Sequence, residues 1–389
     1  MTKKFMMDFQ EIKLALMKTP LYNFWGMLQR YRGRTRFDCF MRQIHQSEIK
    51  EHSLRETLAA RCHNRRKLSS IPRVLAIGHE SWEQHGLWPS FRRLSNFHFF
   101  SMGMINGEWN DSLRCTEGLR ILALIDEMDQ GACPIELVFI YVDSSFLAPE
   151  MLQGLADRNI WSVLMGLDDK HKLKARSEMG MTVGQELVAP LVDIYWTTWK
   201  SAIPYLWKIG ARPLYLAEGA DPAFHRSLKL NRDIDVLFLG ARYGVRKTLI
   251  DSLGKCGFNV EAYGKGWPNG YVSFNKSIEL INRSKIVLGV GGVGHLDEIQ
   301  HLKGRDFEVP MCGSVYLTTY NPELADWYTI GKDILCYSSP QNCAEILEWI
   351  LRNPALQNAI RRAALKCAQK NHTWDKRLRD VFEVIKTVN

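Results

Sequence analysis

Two consecutive α/β domains, each a doubly wound parallel sheet, are predicted for this chain by three observations. The first is length: 389 residues exceed the roughly 250–300 at which a single hydrophobic core stops growing. The second is the alternation, from Arg73 onward, of short apolar runs with segments of helical period. The third is that this alternation restarts half-way along. A composition of 46% hydrophobic and 24% charged residues gives such a chain enough apolar area to fold.

The first series of apolar runs is RVLAIGH (73–79), FHFFSM (97–102), ELVFIYVD (136–143), IWSVLMGLDD (160–169) and DIYWTT (193–198). Between them lie helical patterns such as EGLRILALIDEM (117–128) and PEMLQGLADRN (149–159). Runs of β-branched and aromatic residues without polar alternation mark strands covered on both faces, which is the signature of βαβ units. The second series is DVLFLG (235–240), NVEAYG (259–264), KIVLGVG (285–291), SVYLTTY (314–320) and DILCYSS (333–339). The polar stretch 212–235, with its Gly219-Ala220-Asp221-Pro222 turn, reads as the linker between the two. The chain closes on two helices broken near Asn371-His372. The domains expected are therefore a basic helical extension (1–70), an N-terminal domain (71–215), a C-terminal domain (216–374) and a final helix (375–389).

Charge is unevenly distributed. Residues 1–70 hold 15 Lys and Arg against 6 Asp and Glu, so the whole formal excess of +9 lies there. That extension reads either as a solvated basic helix face or as a patch for an anionic partner, membrane surface or nucleic acid. No run reaches the roughly 20 apolar residues of a membrane span, and the start lacks the apolar core of a secretory signal. Nine cysteines stand as singletons with no C-x-x-C pair, which argues for a reducing compartment and against a disulfide framework or a cysteine-ligated zinc site. The expected location is cytoplasmic, with peripheral attachment to the inner face of a membrane as an option.

Open parallel sheets bind ligands beyond the carboxyl ends of their strands, so candidates are sought there. The turn from Ala241 to Arg246 opens a helix whose free N–H groups suit a phosphate. Arg242 and Arg246, four apart, would neutralise a diphosphate from one side, or serve as ordinary surface arginines. Lys265, in the tight turn KGWPNG (265–270), stands beside an aromatic plane and suits a base or phosphate, or simply a turn. The run GVGGVG (289–294) is formally a G-x-G-x-x-G. It follows the third strand of its series rather than the first, so a dinucleotide fingerprint is disfavoured and only backbone approach to a ligand, around Gly291, is retained. In the first domain, His79 and the Asp168-Asp169 pair stand at strand ends as candidate bases or acceptor-binding groups, against the plainer roles of hydrogen-bonded histidine and helix cap. The aromatics of SWEQHGLWPSF (81–91) suit stacking on sugar faces, or packing.

The stretch LKGRDFEVPMCGS (302–314), followed by YLTTYNPELADWYTIGKDILCY (316–337), resembles the spore-maturation-protein-like (CgeB-like) branch of the GT-B glycosyltransferases, a group-1 type. The resemblance is good over roughly 190–389 and looser over 71–190. It implies two Rossmann-like domains facing a cleft, a nucleotide-sugar donor on the C-terminal domain, no metal ion or cofactor, and a last helix that crosses back to the N-terminal domain. Carried onto this sequence, Glu308, five residues before Gly313, would bind the donor ribose, since one carboxylate accepts from two vicinal hydroxyls. Arg305 would stand beside it, and Arg242 and Arg246 would address the diphosphate of a UDP- or GDP-linked sugar. Retaining relatives carry a second glutamate eight residues before the first; here that position is Gln300, which leaves the stereochemistry open. The function expected is metal-independent, hexosyltransferase-like transfer of a sugar to a glycan, lipid-linked, protein or nucleic-acid acceptor. Two rivals stand beside it: an NAD-dependent oxidoreductase or epimerase resting on residues 289–294, and a non-catalytic nucleotide or nucleic-acid binder resting on the basic N-terminus.

Overall fold

The computed structural model describes residues 34, 37–44, 53–103, 109–131, 134–166, 168–178, 180–293 and 296–388. The first domain carries β1 (Arg73–Gly78), β2 (Asn96–Ser101), β3 (Leu137–Ile140) and β4 (Trp161–Met165). A hairpin of β5 (Arg176–Glu178) and β6 (Met181–Val183) then precedes β7 (Ile194–Thr197) and β8 (Pro213–Tyr215). Apart from the hairpin, these form one parallel sheet in the order β2-β1-β3-β4-β7-β8. The second domain carries β9 (Ile234–Leu239), β10 (Val260–Tyr263), β11 (Ser284–Leu288), a hairpin of β12 (Gly292–Val293) and β13 (Leu296–Gln300), then β14 (Val315–Thr319) and β15 (Leu335–Tyr337). Its parallel sheet runs β10-β9-β11-β14-β15.

The inner strands of both sheets bury both faces, which explains the unbroken apolar runs. Val74 and Ala76 of β1 enter one core while Leu75 and Ile77 enter the other, and β9 divides Val236 and Phe238 from Leu237 and Leu239 in the same way. In both sheets the second strand lies on one side of the first and the third on the other. The crevice of each domain therefore opens beyond the carboxyl ends of its first and third strands. This topological reversal, occurring twice, decides where the site lies.

Three boundaries differ from the sequence reading. Residues 213–215 are not linker but the edge strand β8. Pro213 lacks an N–H and reads as a breaker, yet as the first residue of an edge strand it is tolerated. Only 216–233 crosses between the domains.

The basic N-terminal segment is also partly built into the first domain. Helix Leu54–Cys62 sends Leu58 and Cys62 into its core, Arg65 binds Asp193 at 2.9 Å, and Arg66 pairs with Asp129. Phe40 packs edge-on against Trp199 and Tyr205. The rest of the proposed anionic-surface patch, in 1–33, 35–36 and 45–52, lies outside the described residues.

Finally, the helix expected at 375–389 spans Trp374–Lys386. It lays Trp374, Leu378, Val381, Phe382 and Ile385 into the first domain's core beside helices Leu54–Cys62 and Leu87–Leu94.

The two crossings between domains touch. Ala220 N–H donates to His372 O at 2.9 Å and Trp374 N–H to Ala220 O at 3.2 Å. A side chain at Gly219 would meet the Trp374 backbone nitrogen at 2.8 Å, so only glycine fits this approach. Among the described residues no helix is long and apolar enough to cross a membrane.

Candidate active site

A cavity of about 310 Å³ lies at the second domain's reversal point, between the ends of β9 and β11, within the size range of ligand pockets. Phe238 and Leu239 end one strand, Leu288 and Gly289 the other, and Tyr316 of β14 closes the floor. Lys303, Gly304, Arg305 and Glu308 come from the start of helix Arg305–Met311, and Arg246 from the first turn of helix Arg246–Lys255. Glu218 enters from the interdomain crossing and Glu83 from the loop after β1.

The cations are held differently. Arg246 donates to Ala241 O at 2.9 Å and lies 4.1 Å from the Tyr243 ring centroid. Burial lowers its pKa, and the neighbouring Arg305 adds to this. Lys303 pairs across the domains with Asp168 at 3.0 Å. Arg305 carries no ion pair among the described residues. Arg305 and Glu308 form no ion pair with each other, although both line the cavity. The Glu308 carboxylate instead faces His225 Nε2 at 3.7 Å.

Three carboxylates, Glu83, Glu218 and Glu308, share the cavity with these cations. A side chain on Gly304 would meet Glu218 Oε2 at 3.1 Å and Glu308 Oε1 at 3.2 Å, so glycine leaves the gap between them. Burial, then the charges of Glu83, Glu308 and Asp306, push the Glu218 carboxyl far up, with Lys303 opposing. Asp306, fully buried behind the cavity, is raised to about 7 chiefly by burial, against a hydrogen bond from Lys303 N–H at 2.8 Å.

The remaining sequence candidates fall into two groups. Arg246, Arg305 and Glu308 meet in the cavity; Arg242, Lys265, Gly291 and Gly313 do not line it. The helix begins at Arg246, so Arg242 stays in the preceding exposed turn, 5.4 Å from the Trp267 ring. Lys265 is exposed in the turn beyond β10, and its carbonyl accepts from Arg242 N–H. Gly291 spends its N–H on Thr319 Oγ1 at 2.8 Å. The residues after it enter the β12–β13 hairpin rather than a helix, so the dinucleotide fingerprint has no helix start to present. Gly313 closes helix Arg305–Met311 with φ +66°, away from the cavity. Gly313→Ala is expected to cost about 1–2 kcal/mol through left-handed backbone strain, read as a lower urea midpoint at unchanged slope.

In the first domain, Asp169 accepts from Tyr195 Oη and Thr197 Oγ1 and is raised to about 6 by burial. It is a structural anchor inside the fold. Burial also raises Asp168, but Lys303 and His301 outweigh it and bring its pKa to about 2. Next to it Lys170 reaches Gln300 O at 2.6 Å and Glu323 at 2.8 Å, so residues 168–170 clasp the second domain. Replacing Asp168 with Asn is expected to lower turnover less than tenfold. A double-mutant cycle with Lys303→Met should show a coupling of about 1 kcal/mol. His79 is buried between Trp82 and Phe146, with centroids at 4.3 and 5.0 Å, and its pKa is lowered by burial. Sequence reasoning missed Glu83, Glu218 and Lys303. Glu83 was within reach of it, lying in the loop after β1, whereas Glu218 and Lys303 come from segments with no strand-end position to flag them.

The fold has counterparts among solved structures. A profile of the glycosyl transferase-like family matches residues 246–383. A glycosyltransferase from Rickettsia africae superposes with a TM-score of 0.58 at 10% identity, over 82% of this chain and 98% of that one. Anabaena Alr3699/HepE in complex with UDP and glucose gives 0.55 at 10%, over 80% and 99%. The sucrose-phosphate synthase of Thermosynechococcus elongatus gives 0.57 at 10%, over 82% and 100%. A search of curated proteins returned no match. The chain has the GT-B fold: two Rossmann-like domains facing a cleft.

Proposed function

We propose that this chain is a glycosyltransferase that moves a sugar from a nucleotide-sugar donor to an acceptor entering from the first domain. One observation carries the reading: at the second domain's reversal point, Glu308 shares a single cavity with Arg246, Lys303 and Arg305. Glu308 accepts the paired ribose hydroxyls of the donor. Arg305, which has no ion pair among the described residues, and Arg246 meet the diphosphate and stabilise the charge that builds on it as the sugar departs. Fixed charges of this kind supply several kcal/mol without reorganisation.

The Rickettsia and Thermosynechococcus likenesses, both at the level of fold, support this assignment. The Anabaena complex supports UDP as the nucleotide to try first. The leaving group is neutralised by side chains alone in this proposal, and the acceptor is a hydroxyl of a glycan, lipid-linked, protein or nucleic-acid molecule. Replacing Arg305 with Met should reduce nucleotide release about 10²–10³-fold with little loss of fold stability, read by steady-state kinetics beside a thermal melt. Unchanged turnover would remove Arg305 from the diphosphate site.

A further inference from the structure

We propose that Glu83 accepts the proton of the acceptor hydroxyl during transfer, an assignment that rests on the sugar-transfer reading above. Among the described residues lining the cavity, Glu83 is the side chain that the first domain's sheet contributes; apart from Glu218 on the crossing, the others belong to the second domain. It sits beyond β1, at the first domain's own reversal point, where an acceptor bound in that domain meets the donor.

The backbone is built to hold it there. Glu83 has φ +54°, a left-handed conformation that a non-glycine residue adopts at a cost of roughly 1–3 kcal/mol. Its carbonyl accepts from Gly86 N–H at 3.1 Å and Trp88 N–H at 3.3 Å, which ties the turn. Its carboxyl accepts from Leu87 N–H at 3.3 Å and meets Tyr141 Oη at 3.5 Å. These partners aim the group without neutralising it.

The three first-domain residues singled out from the sequence are engaged elsewhere: Asp168 by Lys303, Asp169 by Tyr195 and Thr197, and His79 is enclosed by Trp82 and Phe146. The groups facing Glu83 are Tyr141 from β3, Glu218 from the crossing and Glu308 from the second domain. Burial and the charge of Glu308 raise its carboxyl to about 7, against the two hydrogen bonds, which suits a base working near neutrality.

In the step itself the acceptor O–H bond breaks and its proton passes to Glu83. The electron pair forms the new bond to the anomeric carbon as the bond from that carbon to the diphosphate breaks. The departing pair stays on the phosphate oxygen, facing Arg246 and Arg305. A direct displacement of this kind inverts the anomeric centre.

The test uses the full chain, UDP binding by calorimetry, and nucleotide release from UDP-, GDP-, ADP- and CMP-sugars with water as acceptor. Glu83→Gln is expected to bind UDP within threefold of wild type while nucleotide release falls 10²–10⁴-fold. Wild-type rate should drop as pH falls below about 7, and the variant should lose that limb. Glu83→Gly, which relieves the left-handed strain, should melt at or above the wild-type temperature and be equally inactive, separating chemistry from folding. An active Glu83→Gln, or a retained acid limb, overturns the base while leaving the donor reading intact. A wild-type chain that neither binds nor cleaves any of the four nucleotide donors overturns both.

Discussion

Replacing Glu308 with alanine is expected to abolish turnover and to weaken nucleotide-sugar binding by roughly two to four orders of magnitude. The estimate follows from its proposed partners: hydrogen bonds to a charged group contribute about 1.5–3 kcal/mol each, and two vicinal hydroxyls are at stake. The position is stiff, since Glu308 lies in helix Arg305–Met311 with its N–H on Gly304 O at 2.9 Å and its carboxylate turned to His225. Glu308→Asp should recover part of the binding, because the charge remains but its reach is one methylene shorter. Calorimetric titration of donor nucleotide into wild type and both variants measures the effect. Equal affinities in all three would detach Glu308 from the ribose.

The second large effect concerns stability. Arg377 is 2% exposed, yet its guanidinium donates to Ala217 O at 3.1 Å, Glu218 O at 3.3 Å and Asn371 O at 2.9 Å, and approaches His372 Nδ1 at 3.0 Å. It lies 4.7 Å from the Trp327 ring centroid. Burial pulls its pKa down to about 10, with Asp380 and Tyr328 opposing, so it stays charged at neutral pH. This one side chain ties the outgoing crossing, which carries Glu218 into the cavity, to the returning one, which carries the last helix home. Arg377→Ala strips several buried carbonyls of their donor at once. A loss of about 3–5 kcal/mol is expected, seen as a lower urea midpoint, together with reduced turnover as Glu218 loses its mooring. A midpoint within about 0.5 kcal/mol of wild type would contradict that role.

How far the sequence revealed this molecule depends on how local each signal is. Core strands were legible because burial on both faces forces short runs such as VLFL (236–239), bounded by turn residues and too short for a helix. The edge strand β8 was not, because its three residues begin with Pro213 and carry no periodicity. Within the site, Glu308 and Arg246 were found from a motif and a strand end. Arg242 was misplaced because helix onset at Arg246 rather than earlier turns it outward, which no residue type announces.

The glycine run 289–294 looked informative and was not, since a hairpin replaces the helix that such a motif serves. Glu83 and Glu218 escaped for a different reason. Glu83 did lie in a strand-end loop, but Glu218 joins it only when two domains close on one cavity, more than a hundred residues apart in the chain. Asp168-Asp169 shows the same limit in reverse: adjacent and identical in sequence, one is clasped to Lys303 and the other sunk among Tyr195 and Thr197.

The most direct test of the central claim is a calorimetric titration of the full chain with UDP-, GDP-, ADP- and CMP-sugars and with NAD(H), run in parallel on Glu308→Ala. At least one nucleotide sugar is predicted to bind wild type, with the affinity largely lost in the variant and no response to NAD(H). Binding of NAD(H) with none of the sugars, or identical titrations for wild type and variant, would contradict the assignment of this cavity to a nucleotide-sugar donor.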